Sequence, residues 1–398
     1  MAGEETGQYA HLPEDLVKKI LEAVPATVEK MNRMFDVQEA PIQESIQRLR
    51  DSGLVHKLKP EETTDSLMAA DGGNIIEKMS GTDVLLAVAV GVEGLTMHKA
   101  GGWPEGSNQY YQWQTVMPHH EATPRLCQGV MFLMELNVLA SSQHEIRIMD
   151  GTHLTPILKI NSMLSAKDEK AGREYVDGLQ AFLAETYEKV IPDMPDMVSE
   201  ALNSDKVISI AKYSSSRDIL DSRVKRDDIT LDDKTFFTLG LQEDEYVGPL
   251  PVGQSQREKG LWSDLHITAN LSEIADLDEL NGHFETAIAP IKGKDADGDG
   301  ESNVWFTYYK PHEQGPAVRI ECKKALAQDE KRFFKMLGAI KYQTVFPDIR
   351  EPFPQFVADL MAKSVSGGLY ALQDAIRLSS NLRVDRNRFD LLFSYRSR

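Results

Sequence analysis

Residues 130–140 read VMFLMELNVLA, a run in which Glu135 is the only charged side chain and Asn137 the only other polar one. A carboxylate set in so apolar a stretch costs several kcal/mol if buried alone, and as a rule it is paired or bound to metal. The surroundings predict a helix. Thr123-Pro124 supplies a cap and first-turn pair, and the apolar pattern runs to about Ser141. Ahead of it lie short apolar runs broken by turns: Leu67–Ala70 ending at Asp71-Gly72-Gly73, the β-branched run Val84–Val92, and Tyr110–Val116 (YYQWQTV). Brief connections between them predict an antiparallel meander. Behind the helix, Glu145–Met149 (EIRIM) reads as a strand ending at Asp150-Gly151.

The remaining chain divides around this centre. Leu16, Ile20 and Val24 recur at four-residue spacing after Pro13, as do Ile42, Ile46 and Leu49 after Pro41, so residues 1–60 read as an N-terminal segment of helices. Ile46–Val55 (IQRLRDSGLV) is similar to half of a winged helix, but no wing follows. Residues 61–380 form the main domain, with a helical insertion at about 164–203 and a charged, turn-rich insertion at about 222–302 that reads as long loops. Within it, Val207–Ala211 (VISIA) is a strand ending at Lys212, and Val304–Tyr309 with Ala317–Cys322 form a hairpin. Helices are expected at about 327–340 and 354–378. The tail 381–398 carries five Arg against two Asp.

The whole chain has 398 residues with 44 Lys+Arg and 62 Asp+Glu, a net charge of −18. That excess disfavours general attraction to nucleic acid or to an anionic membrane, so any DNA chemistry must come from a local site. At 41% hydrophobic and 27% charged, the composition is that of a folded protein. The longest apolar run is far short of the ~20 residues a membrane span needs, and Met1–Gly7 shows no secretory signal. Cys127 and Cys322 cannot build a disulfide framework or a four-ligand zinc site. A soluble, cytoplasmic protein is expected.

Asp71, Glu135 and Asp150 are the residues that can carry chemistry together. Asp-Gly is an ordinary turn dipeptide and recurs five times, so neither aspartate is informative alone. Their order is informative: meander with Asp, helix with Glu, strand with Asp, the layout of an RNase H-like nuclease core. Phosphodiester cleavage with two divalent ions ~4 Å apart needs clustered carboxylates on rigid elements, and Mg or Mn prefers such hard oxygen donors.

The chain resembles the NurA-type nucleases from about residue 65 to 378. The motifs are Met68-Ala-Ala-Asp71-Gly-Gly-Asn74, Leu133-Met-Glu135-Leu136, Ile148-Met-Asp150-Gly-Thr-His153, Ile208-Ser-Ile-Ala-Lys212-Tyr-Ser-Ser-Ser216, Val318-Arg319-Ile320-Glu321 and Pro352-Phe-Pro-Gln-Phe-Val-Ala358-Asp359. The resemblance implies an α/β fold: an RNase H-like mixed sheet core flanked by helices. It also implies a Mn2+- or Mg2+-dependent DNA nuclease, a homodimeric ring that works with a HerA-type hexameric ATPase. Carried over by position, Asp71, Glu135 and Asp150 are metal ligands and Lys212 is the strand-end lysine beside the scissile phosphate. The last motif departs from the family, with Asp359 in place of His and Glu351 in place of Tyr. Asp359 can still ligate a hard cation, whereas an ionised Glu351 cannot donate as a phenol does.

Other signals carry alternatives. Ser214–Ser216 can cap a helix near Arg217 or present N–H groups to phosphate. Asp295-Ala-Asp297-Gly-Asp299-Gly300 begins like a calcium loop, but its twelfth position is Phe306. His119-His120 and His153 lack zinc-site spacing, and His153 is expected near the centre without being a ligand. A non-catalytic reading, a DNA clamp or ATPase-docking subunit on the same fold, is set against the intact acidic trio.

Overall fold

A computed structural model describes residues 13–59, 66–79, 82–95, 102–105, 109–119, 123–165, 194–270, 277–292, 302–344 and 349–379. The expected 295–300 loop, the Arg-rich tail 381–398, His120 and most of the 164–203 segment lie outside them.

The meander forms as expected. β2 (Leu67–Lys78), β3 (Thr82–Glu93) and β4 (Tyr110–Pro118) pair antiparallel in sequence order, after a short β1 (Val55–Lys57). α2 (Thr123–Ser141) then crosses to β5 (Ile146–Asp150), which runs parallel to β2, and β6 (Val207–Ala211) runs parallel to β5. The order β4-β3-β2-β5-β6, with two antiparallel pairings followed by two parallel ones, is the RNase H-like core. β9 (Val318–Lys323) adds antiparallel to β6, followed outward by β8 (Val304–Tyr309), β7 (Glu245–Pro251) and β1, giving nine strands.

Both faces are covered, which is why the central strands read as continuous apolar runs rather than alternating ones. α2 is buried nearly all round, with Leu126, Val130, Leu133 and Leu136 packed against Met68, Ala70, Leu85 and Ala87. On α2's outer side stand α3 (Leu154–Leu164) and α4 (Met194–Asn203). The opposite face holds Leu67, Ala69, Ile148, Ile208 and Ile320 against Phe333, Leu337 and Ile340. Those three belong to α9 (Glu330–Gln343), which follows α5 (Asp233–Gly240), α6 (Gln256–Ser263), α7 (Leu277–Lys292) and α8 (Lys324–Gln328). α10 (Phe353–Lys363) and α11 (Val365–Leu378) complete that face, with Val365 and Leu369 on Val84 and Leu86.

Three expectations are corrected. The N-terminal helices are one 38-residue helix, α1 (Glu14–Asp51), which continues through Pro25 and Pro41. Its last turns join the core through Ile42, Ile46 and Leu49 and through the Arg50–Glu245 ion pair at 2.8 Å, so at Pro41 packing overrides propensity. Residues 222–302 are not simply loops, because Glu245–Pro251 (EYVGPLP) is a sheet strand whose Gly and two Pro disguise it. The register slips between Val247 and Leu250, which accommodates them. The third correction concerns Asp71. Its Gly-Gly does not end the strand, since β2 runs on to Lys78 and Asp71 pairs with Val90. Among the described residues no helix is long and apolar enough to cross a membrane.

Candidate metal centre

Side chains alternate across a strand, so Asp71 and Gly73 share one face of β2 and Gly72 takes the other. The two glycines are explained by what approaches them. A Cβ on Gly73 would lie 2.2 Å from the carbonyl oxygen of Ala362 in α10, and one on Gly72 would lie 2.6 Å from Cγ of Met131 in α2. Missing side chains, not a turn, are what this stretch requires, because two helices press on the strand from opposite sides.

Register brings the charged residues to one place. Ala70 pairs with Met149 and Asp150 pairs with Ile210, so Asp71 within β2, Asp150 at the end of β5 and Lys212 just past the end of β6 fall side by side. α10 lies over this row and presents Gln355, Asp359 and Lys363, spaced four apart and therefore on one helix face. Carboxylate oxygens of Asp71, Asp150 and Asp359 all lie within 4.8 Å of one another. Lys212 Nζ sits among them, 3.0 Å from Asp359, 3.2 Å from Glu351 and 3.4 Å from Asp150. Lys363 holds the other Asp359 oxygen at 2.6 Å.

Glu135 stands apart from this trio. It reaches the sheet from the α2 face, and its Oε2 would be 3.4 Å from a Cβ on Gly72. The residue is 2% exposed and its Oε1 has no hydrogen-bond partner. Burial first, then the charges of Asp71 and Asp150, push its carboxyl well above the usual range. Burial likewise lifts Asp71 to about 7, with Asp150 adding to the lift and Lys212 opposing it. For Lys212 the opposing burial is outweighed by Asp150, Glu351 and Asp359, which hold the ammonium charged. Asp359 is lowered because Lys363 and Lys212 overcome the effect of its burial, while burial raises Glu351.

Hard oxygen donors converging from three elements, beside a buried carboxylate with an unpartnered oxygen, fit a divalent cation such as Mn2+ or Mg2+. The sequence motifs anticipated Asp71, Asp150, Lys212 and Asp359 at one locus; Glu135 adjoins it without entering the tight group. Gln355 was missed. It is fully buried, and its Nε2 donates to Asp150 Oδ1 at 2.6 Å and to the Ile210 carbonyl at 3.1 Å, so it fixes that carboxylate. The polar i, i+4, i+8 ladder on an otherwise apolar helix face was the available signal.

A second buried network supports the turn after Asp150. Arg319 pairs with Glu321 Oε1 at 3.0 Å, and Glu321 Oε2 accepts the His153 backbone N–H at 2.9 Å. The His153 ring itself is buried and its Nδ1 meets Ser209 Oγ at 2.6 Å, so it is a scaffold group outside the carboxylate cluster. His119 pairs with Asp83 at 2.9 Å. The Ser216 hydroxyl accepts from Asp218 N–H at 3.3 Å ahead of a π-helical turn, Leu220–Val224, rather than an ordinary helix.

Among solved structures the chain is similar to the NurA nuclease from Sulfolobus solfataricus, with a TM-score of 0.50 and 16% identity over 92% of this chain and 100% of that one. Another NurA structure gives a TM-score of 0.49 and 12% identity over 95% of this chain and 100% of that one. A NurA bound to dAMP and manganese gives 0.47 and 13%, over 94% of this chain and 99% of that one. No protein-family profile matches the chain, and no curated protein sequence matches it. The chain has the NurA nuclease fold, an RNase H-like mixed sheet with helices on both faces.

Proposed function

We propose that the chain is a divalent-metal-dependent deoxyribonuclease that hydrolyses phosphodiester bonds at DNA ends. The carrying observation is the convergence of Asp71, Asp150 and Asp359 within 4.8 Å on this fold, with Lys212 beside them. In this reading Asp71, Glu135, Asp150 and Asp359 hold Mn2+ or Mg2+. When bound there, such ions polarise the phosphoryl oxygens and activate water for in-line attack. The protein's own groups supply order and charge. Gln355 fixes the rotamer of Asp150, Lys363 steadies Asp359, and Lys212 places a point positive charge where negative charge develops on the phosphate.

The partners follow from the resemblance and from charge. A chain at −18 captures free DNA poorly at physiological salt. A homodimeric ring fed by a HerA-type hexameric DNA-translocating ATPase overcomes this, because the motor delivers the strand. The same chemistry serves DNA end resection or anti-phage defence. The test is end-labelled single- and double-stranded DNA incubated with Mn2+, Mg2+ or EDTA, with and without the ATPase. Metal-dependent cleavage supports the reading. A protein that binds DNA but leaves it intact in every metal refutes it.

That second outcome is the alternative reading, a catalytically weak DNA clamp or ATPase-docking subunit. One observation favours it: Lys212 already neutralises Asp150 and Asp359 and so competes with a cation.

A further inference from the structure

Beside Lys212 lies a cleft of about 870 Å³. Its walls include Lys212, Tyr213, Thr235, Thr238, Arg350 and Glu351. Lys212 and Glu351 line the cleft and also pair beside the carboxylate cluster, so the cleft borders the centre. Tyr213 is 94% exposed, the highest value among the large hydrophobic side chains described. Nothing in the core uses this ring.

The backbone beneath it is firmly held. Lys234 Nζ donates to the carbonyls of Ala211 and Lys212, and Asp233 N–H donates to the Ser216 carbonyl at 2.8 Å. Burial lowers the pKa of Lys234, in keeping with its role as a tie inside the fold rather than a free cation. The loop 212–216 is therefore pinned from below while the ring of Tyr213 stands free above it. Arg350 is exposed on the cleft wall, next in sequence to Glu351. An aromatic face, a guanidinium and an adjoining hydrolytic centre match the three parts of an unpaired nucleotide: base, phosphate and reacting bond. Every base has a π-face, so stacking on a tyrosine binds single strands with little regard to sequence.

Resting on the nuclease reading, we propose that this cleft holds single-stranded DNA next to the bond being cut, with a base stacked on Tyr213 and a backbone phosphate on Arg350. A paired base cannot offer its face to the ring, so the cleft selects unpaired ends and makes duplex dependent on prior unwinding.

The experiment uses the full chain and a fluorescent oligo-dT. In EDTA, where cleavage is absent, Tyr213→Ala should weaken anisotropy-detected binding about tenfold. Tyr213→Phe should retain it, and Tyr213→Trp should show indole quenching on titration. Arg350→Ala should flatten the salt dependence of binding by about one phosphate contact. In Mn2+, Tyr213→Ala should raise KM for single strands and leave kcat within about twofold of wild type. Because the side chain is 94% exposed, these variants keep the fold. Wild-type protein that cleaves DNA while Tyr213→Ala binds and cleaves single strands equally well overturns the cleft assignment alone. A wild type that cleaves no DNA in any metal overturns the nuclease reading, whereas lost binding in Tyr213→Ala still supports the cleft.

Discussion

Replacing Asp71 with asparagine tests the electrostatics of the centre without any substrate. In the metal-free protein, burial and the charge of Asp150 raise this carboxyl from 3.8 to about 7. The folded form then keeps its proton to higher pH than the unfolded chain does, so protonation favours the fold. Below about pH 4 the carboxyl costs nothing, and the cost accumulates as pH rises through about 7. At ~1.36 kcal/mol per unit, the ceiling above pH 8 is about 4 kcal/mol. An unfolding entropy of ~2.1 cal/mol/K per residue, or about 0.8 kcal/mol/K for this chain, turns that into a Tm difference of up to about 5 °C. Asp71→Asn removes the ionisation and keeps the shape. The assay is thermal unfolding of both proteins in a chelator from pH 5 to 8.5. The wild type should lose Tm relative to the variant as pH rises, and Mn2+ should restore it in the wild type only, by the mass action of ligand on the native state. Parallel curves for the two proteins, in chelator and in Mn2+ alike, would refute the reasoning.

Alanine at Asp71, Glu135 or Asp150 should abolish metal-dependent DNA cleavage while the protein still melts cooperatively, and near-normal turnover in two of the three would displace the assigned centre. Asp359→Ala should raise the Mn2+ concentration needed for half-maximal activity and Asp359→His should keep measurable activity; an unchanged titration for the alanine variant puts Asp359 outside the coordination shell. Gly73→Ala forces α10 away from β2, because the added Cβ meets a backbone carbonyl at 2.2 Å. It should cost about 1–3 kcal/mol in denaturant unfolding and weaken Mn2+ binding with it. Glu321→Ala leaves Arg319 charged, buried and unpaired, and should cost about 3–5 kcal/mol, whereas a paired change of both to apolar residues should cost less.

The sequence by itself determined the elements that local chemistry dictates. The β-branched run at 84–92, the capped apolar helix at 123–141 and the short strands ending at Asp150 and Ala211 are specified by side chains within each segment. Their order carried the RNase H-like layout, and the motifs carried Asp71, Glu135, Asp150, Lys212 and the Asp359 departure. The tertiary structure alone decided everything that depends on a neighbour distant in sequence. Gly72-Gly73 reads as a turn until Met131 and Ala362 are seen pressing on it. EYVGPLP reads as loop until β1 and β8 pair with it, and the turn at Pro41 is seen as continuous helix only where Ile42, Ile46 and Leu49 pack into the core. The membership of the carboxylate cluster is the same kind of fact. Strand alternation puts Asp71 and Asp150 under α10 and leaves Glu135 to approach from α2, so the tight trio closes on Asp359, some two hundred residues beyond Asp150. Local periodicity fixes which face a residue takes within its own element; only the pairing of elements fixes what that face meets.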